Sequence, residues 1–323
     1  MWGMIILLGA VVVFMGIILF RPVPVGKLVS LPNPARDYSE AERRISALRD
    51  REGTRLTPDA RLQFMTHGRR TEQAVVFAHG YTNCAGQFVE LGKRFHALGY
   101  NVLIATQPHH GLPDRMTGDQ ALLTAEELAA FADEMADIAR GLGKQVVFAG
   151  LSGGGVITAW VWATRPDVAK GALMAPAFGM KLIPWWLTGA AVNLFSILPN
   201  FYAWFDPLQK IQGTPGHTYP RFCTRALAEI IRLGYAARRQ VEKRMPAAKE
   251  LVVVTNASDW AVNNRLTKRI IDQWRKMGAN ITAHEFDASW KLDHDFIEPA
   301  QPGQPMERTY PLLVDWITGL TNP

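Results

Sequence analysis

A serine at the tightest point of a strand-to-helix turn constrains this chain more than any other feature. Gly150-Leu151-Ser152-Gly153-Gly154 follows the apolar run Gln145-Val146-Val147-Phe148-Ala149 and precedes the apolar segment Val156 to Thr164. The run reads as a strand, the segment as a helix, and the five residues between them as the turn. Such a turn strains its central residue, so only small neighbours fit on either side. It lifts the Ser152 hydroxyl clear of a sheet and aims a helix N-terminus at charge developing beside it. A glycine-rich turn with an incidental serine is the plainer alternative. The strand before it and the helix after it weigh against that.

A serine hydroxyl is a weak nucleophile without a base, so partners are expected elsewhere. The candidates are His67, His79, His96, His109, His110, His217, His284 and His294. In an open parallel sheet, reactive groups lie at or beyond the C-terminal ends of strands. Glu250 to Thr255 has the continuous apolar character of a buried parallel strand. It runs into a polar loop carrying Asp259, followed by an amphipathic helix from Asn264 to Met277. Ile281 to Phe286 reads as the next strand and leads to Asp293-His294-Asp295. Ser152, Asp259 and His294 therefore fall in the order nucleophile, acid, base, each just past a strand. Asp259 also reads as a helix N-cap, and His294 as a surface-loop histidine. Asp293 and Asp295 are the other candidate acids, but neighbours in a loop point in different directions, which favours Asp259.

An acyl-transfer site also needs donors for an oxyanion. Gly153 supplies the N–H after the nucleophile. Ala74 to Ala78 reads as a strand followed by His79-Gly80-Tyr81, where the glycine lets the chain turn and leaves the Tyr81 N–H facing the serine. His79 reads as a buried brace of that loop. Gln107-Pro108-His109-His110-Gly111 closes the next strand, Asn101 to Thr106, and places His109 and His110 at a pocket rim. Neither thiols nor a carboxylate cluster accompany them, so metal ligation is not expected.

With these residues in view, the chain resembles α/β-hydrolases of the carboxylesterase, monoglyceride lipase and lysophospholipase-like group. The resemblance rests on His79-Gly80-Tyr81, Pro108-His109-His110-Gly111, Gly150 to Gly154, Asp259 with Val262, and His294-Asp295. It runs from about Ala74 to the C-terminus. It implies an α/β fold with a mostly parallel central sheet, helices on both faces and an inserted cap. It also implies Ser152 as nucleophile, Asp259 as acid, His294 as base, and Tyr81 and Gly153 as backbone oxyanion donors. Asp293 stands where the group usually has glycine before the histidine.

Substrate class is sought in the stretch from Met174 to Glu250, too long for a simple strand-to-helix link. Its first half is aromatic, with Trp185, Trp186, Phe201 and Trp204. Its second half is helical, with Leu227, Ile230, Ile231 and Leu233 opposite Arg238, Arg239, Lys243 and Arg244. We read residues 179–249 as a cap over a core formed by 56–178 and 250–323. Leu151, His109 and the four named aromatics are its pocket candidates, suited to an acyl chain. Some of these aromatics must simply glue the cap to the core. The expected function is a serine esterase or lipase acting on acyl glycerols or lysophospholipid-like esters through an acyl-enzyme. A peptidase or thioesterase is the near alternative, and a non-catalytic binding protein the distant one.

The N-terminus is a separate matter. Trp2 to Phe20 carries no charged residue, and at about 1.5 Å per residue a helix of this length nearly matches a bilayer core. It lacks the basic start and small-residue cleavage site of a secretory signal. Residues 1–21 therefore read as a single-pass anchor placing the protein in a membrane. Residues 22–55 read as a proline-rich stalk followed by an amphipathic helix capped by Ser39. Basic residues after the span lean towards a cytoplasmic catalytic domain. The net charge of +6 is then expected to meet anionic lipid. No nucleic-acid-binding motif is present. Cys84 and Cys223, the only two cysteines, provide no disulfide framework. With no phosphate loop or dinucleotide fingerprint, no cofactor is implied.

Overall fold

The apolar runs pair into one sheet. The computed structural model describes residues 2, 9, 13, 15–26, 28–205, 215–301 and 303–319. Strands β1 (Gln63–Met65), β2 (Thr71–Ala78), β3 (Asn101–Ile104), β4 (Gly143–Leu151) and β5 (Lys170–Met174) join two later ones, β8 (Glu250–Asn256) and β9 (Ile281–Phe286). Their order is β1-β3-β2-β4-β5-β8-β9. Only β1 is antiparallel, against β3. All the other pairings in this sheet are parallel. Buried on both sides, the central strands need no polar face, which explains Ala74-Val75-Val76-Phe77-Ala78 and Leu251-Val252-Val253-Val254.

Right-handed crossovers fix the helices. Helix α1 (Tyr38–Glu52) precedes the sheet. Helices α2 (Val89–Ala97), α3 (Ala125–Leu142) and α4 (Gly153–Thr164) are crossovers between its strands. The link from β2 through α2 to β3 runs the opposite way along the sheet to the link from β4 through α4 to β5, so α2 and α4 cover opposite faces. The last helix, α8 (Met306–Thr318), lies on the α2 side, where Arg94 and Glu307 pair at 3.2 Å.

Residues 179–249 hold a 3-10 turn at Trp185–Leu187, helix α5 (Thr188–Ile197), a small hairpin of β6 (Tyr202–Trp204) with β7 (Arg221–Cys223), and α6 (Thr224–Lys243). The apolar face of α6, with Leu227, Ile230, Ile231 and Leu233 buried, packs on α4 directly behind the serine turn. Helix α7 (Asn264–Lys276) follows β8 and buries Leu266, Ile270, Ile271 and Trp274.

The N-terminal expectations require correction. Among the described residues no helix is long and apolar enough to cross a membrane. Residues 1, 3–8, 10–12 and 14 of the expected anchor lie outside the described residues. The single-pass membrane localisation and its cytoplasmic orientation lose their basis. Nor do residues 22–34 stand off as a stalk. Val23, Val25 and Leu28 are buried, and the backbone of Leu31 and Asn33 donates to Asp133 and Asp137 of α3. Prolines made this segment extended, but its apolar residues docked it. The cap of α1 is Asp37, which accepts from the Glu40 N–H, rather than Ser39.

Candidate active site

Ser152 sits between β4 and α4 with φ +56°, a left-handed conformation unusual for a residue with a side chain. Its backbone is held from both sides. Its N–H donates to the Met174 carbonyl at 2.9 Å, and its carbonyl accepts from Ala177 at 3.0 Å. The glycines around it answer to close backbone approach. A Cβ on Gly154 would lie 1.9 Å from the Ala78 carbonyl oxygen, and one on Gly150 would lie 2.3 Å from the Gly154 oxygen. A larger residue at 154 would have to move the neighbouring strand β2, and one at 150 the first turn of α4.

Asp259 and His294 come together from the ends of β8 and β9. Asp259 Oδ2 lies 2.8 Å from His294 Nδ1, and both side chains are buried. Asp259 Oδ1 accepts the N–H groups of Ala261 and Val262. Asn256, the last residue of β8, donates to the carbonyls of Leu292 and Asp293 and so fastens the histidine loop to the sheet. Asp293, in the expected glycine position, fills a structural role. It accepts from its neighbour's N–H, from the Trp260 indole at 2.8 Å and from Gln301 at 2.8 Å.

The electrostatics of this pair are reciprocal. Burial disfavours a charged His294, but the Asp259 carboxylate, with Asp295 and Asp293 nearby, reverses that and raises its pKa above the ordinary histidine value. Burial likewise pushes Asp259 up, yet His294 and the two backbone donors leave it below the usual aspartate value. With Nδ1 committed to Asp259, Nε2 is the nitrogen left for proton transfer.

Ser152 and His294 line one small cavity, about 30 Å³, room for little more than water. Its wall includes Tyr81, Leu151, Phe205, Tyr219 and Trp260, with Asn83, Asp295 and Glu298 on the polar side. The Tyr81 hydroxyl is held by partners outside the triad: it donates to Gln120 and accepts from the Cys223 N–H. A methyl on Gly153 would lie 3.3 Å from the Tyr81 backbone nitrogen, so these two backbone segments face each other. Gly153 opens α4, where an N–H has no partner within the helix.

The other pocket candidates lie elsewhere. His109, with φ +65°, reaches Asp119 at 2.8 Å and Glu127 at 3.2 Å. It lines a separate cleft of about 1020 Å³ between residues 28–56 and α3, together with His110. Trp185, Trp186 and Phe201 are exposed and Trp204 is half-buried; none of the four lines the serine cavity. Trp185 instead carries the Arg269 guanidinium 3.8 Å from its ring centre. Phe205, Tyr219 and Trp260 take the expected aromatic place. No periodicity marked them, since each projects from a loop. His79 is fully buried, with Nδ1 at 2.8 Å from the Gly80 carbonyl and Nε2 accepting from the Gln107 N–H.

Residues 69–290, more than half of the chain, match the family described as serine aminopeptidase, S33. The chain belongs to this family. Among solved structures, the monoacylglycerol lipase of Paleococcus ferrophilus aligns with a TM-score of 0.59 at 17% identity, covering 80% of this chain and 98% of that one. A soluble variant of monoglyceride lipase from Saccharomyces cerevisiae gives 0.58 at 12%, covering 81% and 92%. A structure described under the metagenome-derived lipolytic enzymes LipS and LipT gives 0.56 at 17%, covering 80% and 98%. No curated protein matches the sequence. This S33 chain is thus a serine hydrolase of the lipase and esterase type, on the α/β-hydrolase fold.

Proposed function

We propose that the protein hydrolyses carboxylic esters through Ser152, His294 and Asp259, with acyl glycerols or lysophospholipid-like esters as the substrate class. The observation carrying this reading is the 2.8 Å His294–Asp259 bond on the wall of the cavity that Ser152 also lines. Ser152 attacks the ester carbonyl while His294 Nε2 takes its proton, and Asp259 holds the ring and favours the imidazolium. The N–H groups of Gly153 and Tyr81 receive the oxyanion. The imidazolium then protonates the leaving alkoxide. Water, deprotonated by the same histidine, releases the acyl group. Residues 179–249 act as the cap. The aromatic wall of Tyr81, Phe205, Tyr219 and Trp260 supports an apolar acyl group.

A second reading, cleavage of an N-terminal aminoacyl amide, draws on the family's description and on Asp295 and Glu298 beside the cavity. Turnover of a p-nitrophenyl ester series against aminoacyl p-nitroanilides separates the two. Ester turnover that rises beyond acetyl, and that Ser152→Ala reduces by about 10⁴-fold or more, is expected. Anilide turnover exceeding ester turnover replaces the first reading with the second. Absence of both, with no labelling by a fluorophosphonate, defeats the hydrolase proposal.

A further inference from the structure

Asp295, next to His294, takes no part in the steps above, yet it sits half-buried at the centre of a hydrogen-bonded network. Its Oδ1 accepts from Gln87 Nε2 at 2.6 Å and its Oδ2 from Asn83 Nδ2 at 3.1 Å. Both amides are fixed in orientation. Gln87 Oε1 accepts the Gly80 N–H at 2.8 Å, and Asn83 Oδ1 accepts the Cys84 N–H at 2.8 Å. A backbone N–H can only donate, so each amide must turn its NH₂ towards Asp295. Position 295 therefore has to offer an acceptor on both sides. An aspartate carboxylate does so; an asparagine cannot.

The far ends of this network matter for the reaction. Gly80 and Asn83 bracket Tyr81, the proposed oxyanion donor, and Asp295 follows the proposed base. We infer that Asp295 is a positioning residue that fixes the oxyanion loop relative to His294 through Gln87 and Asn83. The inference rests on the catalytic reading of Ser152, His294 and Tyr81. Asn83 also donates at 3.0 Å to Glu298 Oε2, the oxygen that His217 Nε2 meets at 3.0 Å. The carboxylate thus faces Glu298 and His294, with Asp293 on the other side of the histidine. Burial and the Glu298 charge raise the Asp295 pKa well above the usual carboxylate range, against His294 and the two amides. Holding an acceptor pair there requires both amide donors.

The test exploits the fixed polarity of the network. Asp295→Asn sets an NH₂ group against one of the two amide donors. It is expected to lower kcat on a p-nitrophenyl ester by about 10- to 100-fold, with KM changed by less than about threefold. Adding Gln87→Glu reverses the polarity of one link. The glutamate introduced at 87 accepts from both the Gly80 N–H and the new amide at 295, and the net charge is unchanged. The double variant should regain most of the lost kcat. Unchanged kcat in Asp295→Asn overturns the inference, as does a double variant that melts like wild type and stays as slow as the single one. Wild-type turnover abolished by Ser152→Ala keeps the hydrolase reading intact in either event. A wild type inert to esters, anilides and fluorophosphonate brings down both.

Discussion

Two histidine–carboxylate pairs, one buried and one half-buried, stand close together, and His294 and Glu298 line the same cavity. His294 meets Asp259 at 2.8 Å and His217 meets Glu298 at 3.0 Å. In both, the partner carboxylate raises the histidine pKa against the effect of burial or together with other acids. Distance and charge therefore do not tell them apart. The nitrogen used does. His294 spends Nδ1 on its acid and keeps Nε2, on a wall shared with Ser152, whereas His217 spends Nε2 on Glu298. The acids differ as well. Asp259 is braced by two backbone N–H groups, while Glu298 shares its oxygens with Asn83, His217 and the Ala300 N–H. On the proposed reading, one pair moves a proton and the other fastens the segment at 215–219 against the core.

The widest separation between them should come from deleting each histidine. His294→Ala is expected to cost about 10⁴-fold or more in kcat, and His217→Ala no more than about tenfold. Equal losses in steady-state assays would erase the distinction. Asp259→Asn comes next, with a kcat loss approaching about 10⁴-fold because the imidazole loses the acceptor that sets its tautomer. It also carries a signature in pH. The base works only when neutral, so wild-type kcat/KM should fall as pH drops through a midpoint above 6.5, the ordinary histidine value. Without the Asp259 charge, burial is opposed only by Asp295 and Asp293, and the residual activity should show a midpoint shifted to lower pH than in wild type.

The smallest effect is on stability. The raised His217 pKa stabilises the fold fully below its unfolded value of 6.5, and that share is lost as pH rises through the folded value. The lowered Glu298 pKa contributes above 4.5 and is lost as pH falls through its folded value. Glu298→Gln should thus cost about 1–2 kcal/mol between these limits and less at higher pH. Melting curves across pH that run parallel to wild type would contradict the fastening role.

The sequence announced the strands and the serine turn because both depend on local chemistry. Continuous Val-Ile-Leu-Ala runs suit a doubly covered sheet, and only glycine fits at 150 and 154. The Asn83–Asp295–Glu298 network was not legible. Its members lie 212 and 215 positions apart, and nothing local distinguishes an amide that reaches across the fold from one in solvent. Cavity aromatics were misplaced for a related reason. Trp185 and Trp186 cluster conspicuously in sequence, but it is loops that place Phe205, Tyr219 and Trp260 on the cavity wall. The short antiparallel strand Gln63–Met65 left too few residues for any alternation to show. At the N-terminus, hydropathy suggested a span and prolines a stalk, while the buried Val23, Val25 and Leu28 record docking.

That docking has a consequence for how the arm can be cut. Asp133 and Asp137 each serve two clients. They pair with the fully buried Arg165, and they accept Ser30, Leu31 and Asn33 of the arm. A truncation ending near residue 34 would therefore do more than remove a leader. It would strip neutral donors from two carboxylates while Arg165 and its third partner, Asp167, stay in place, leaving the charge of this internal cluster unchanged but two of its acids short of hydrogen bonds. The arm is the missing half of the solvation shell of Arg165's partners, and α3 was built expecting it.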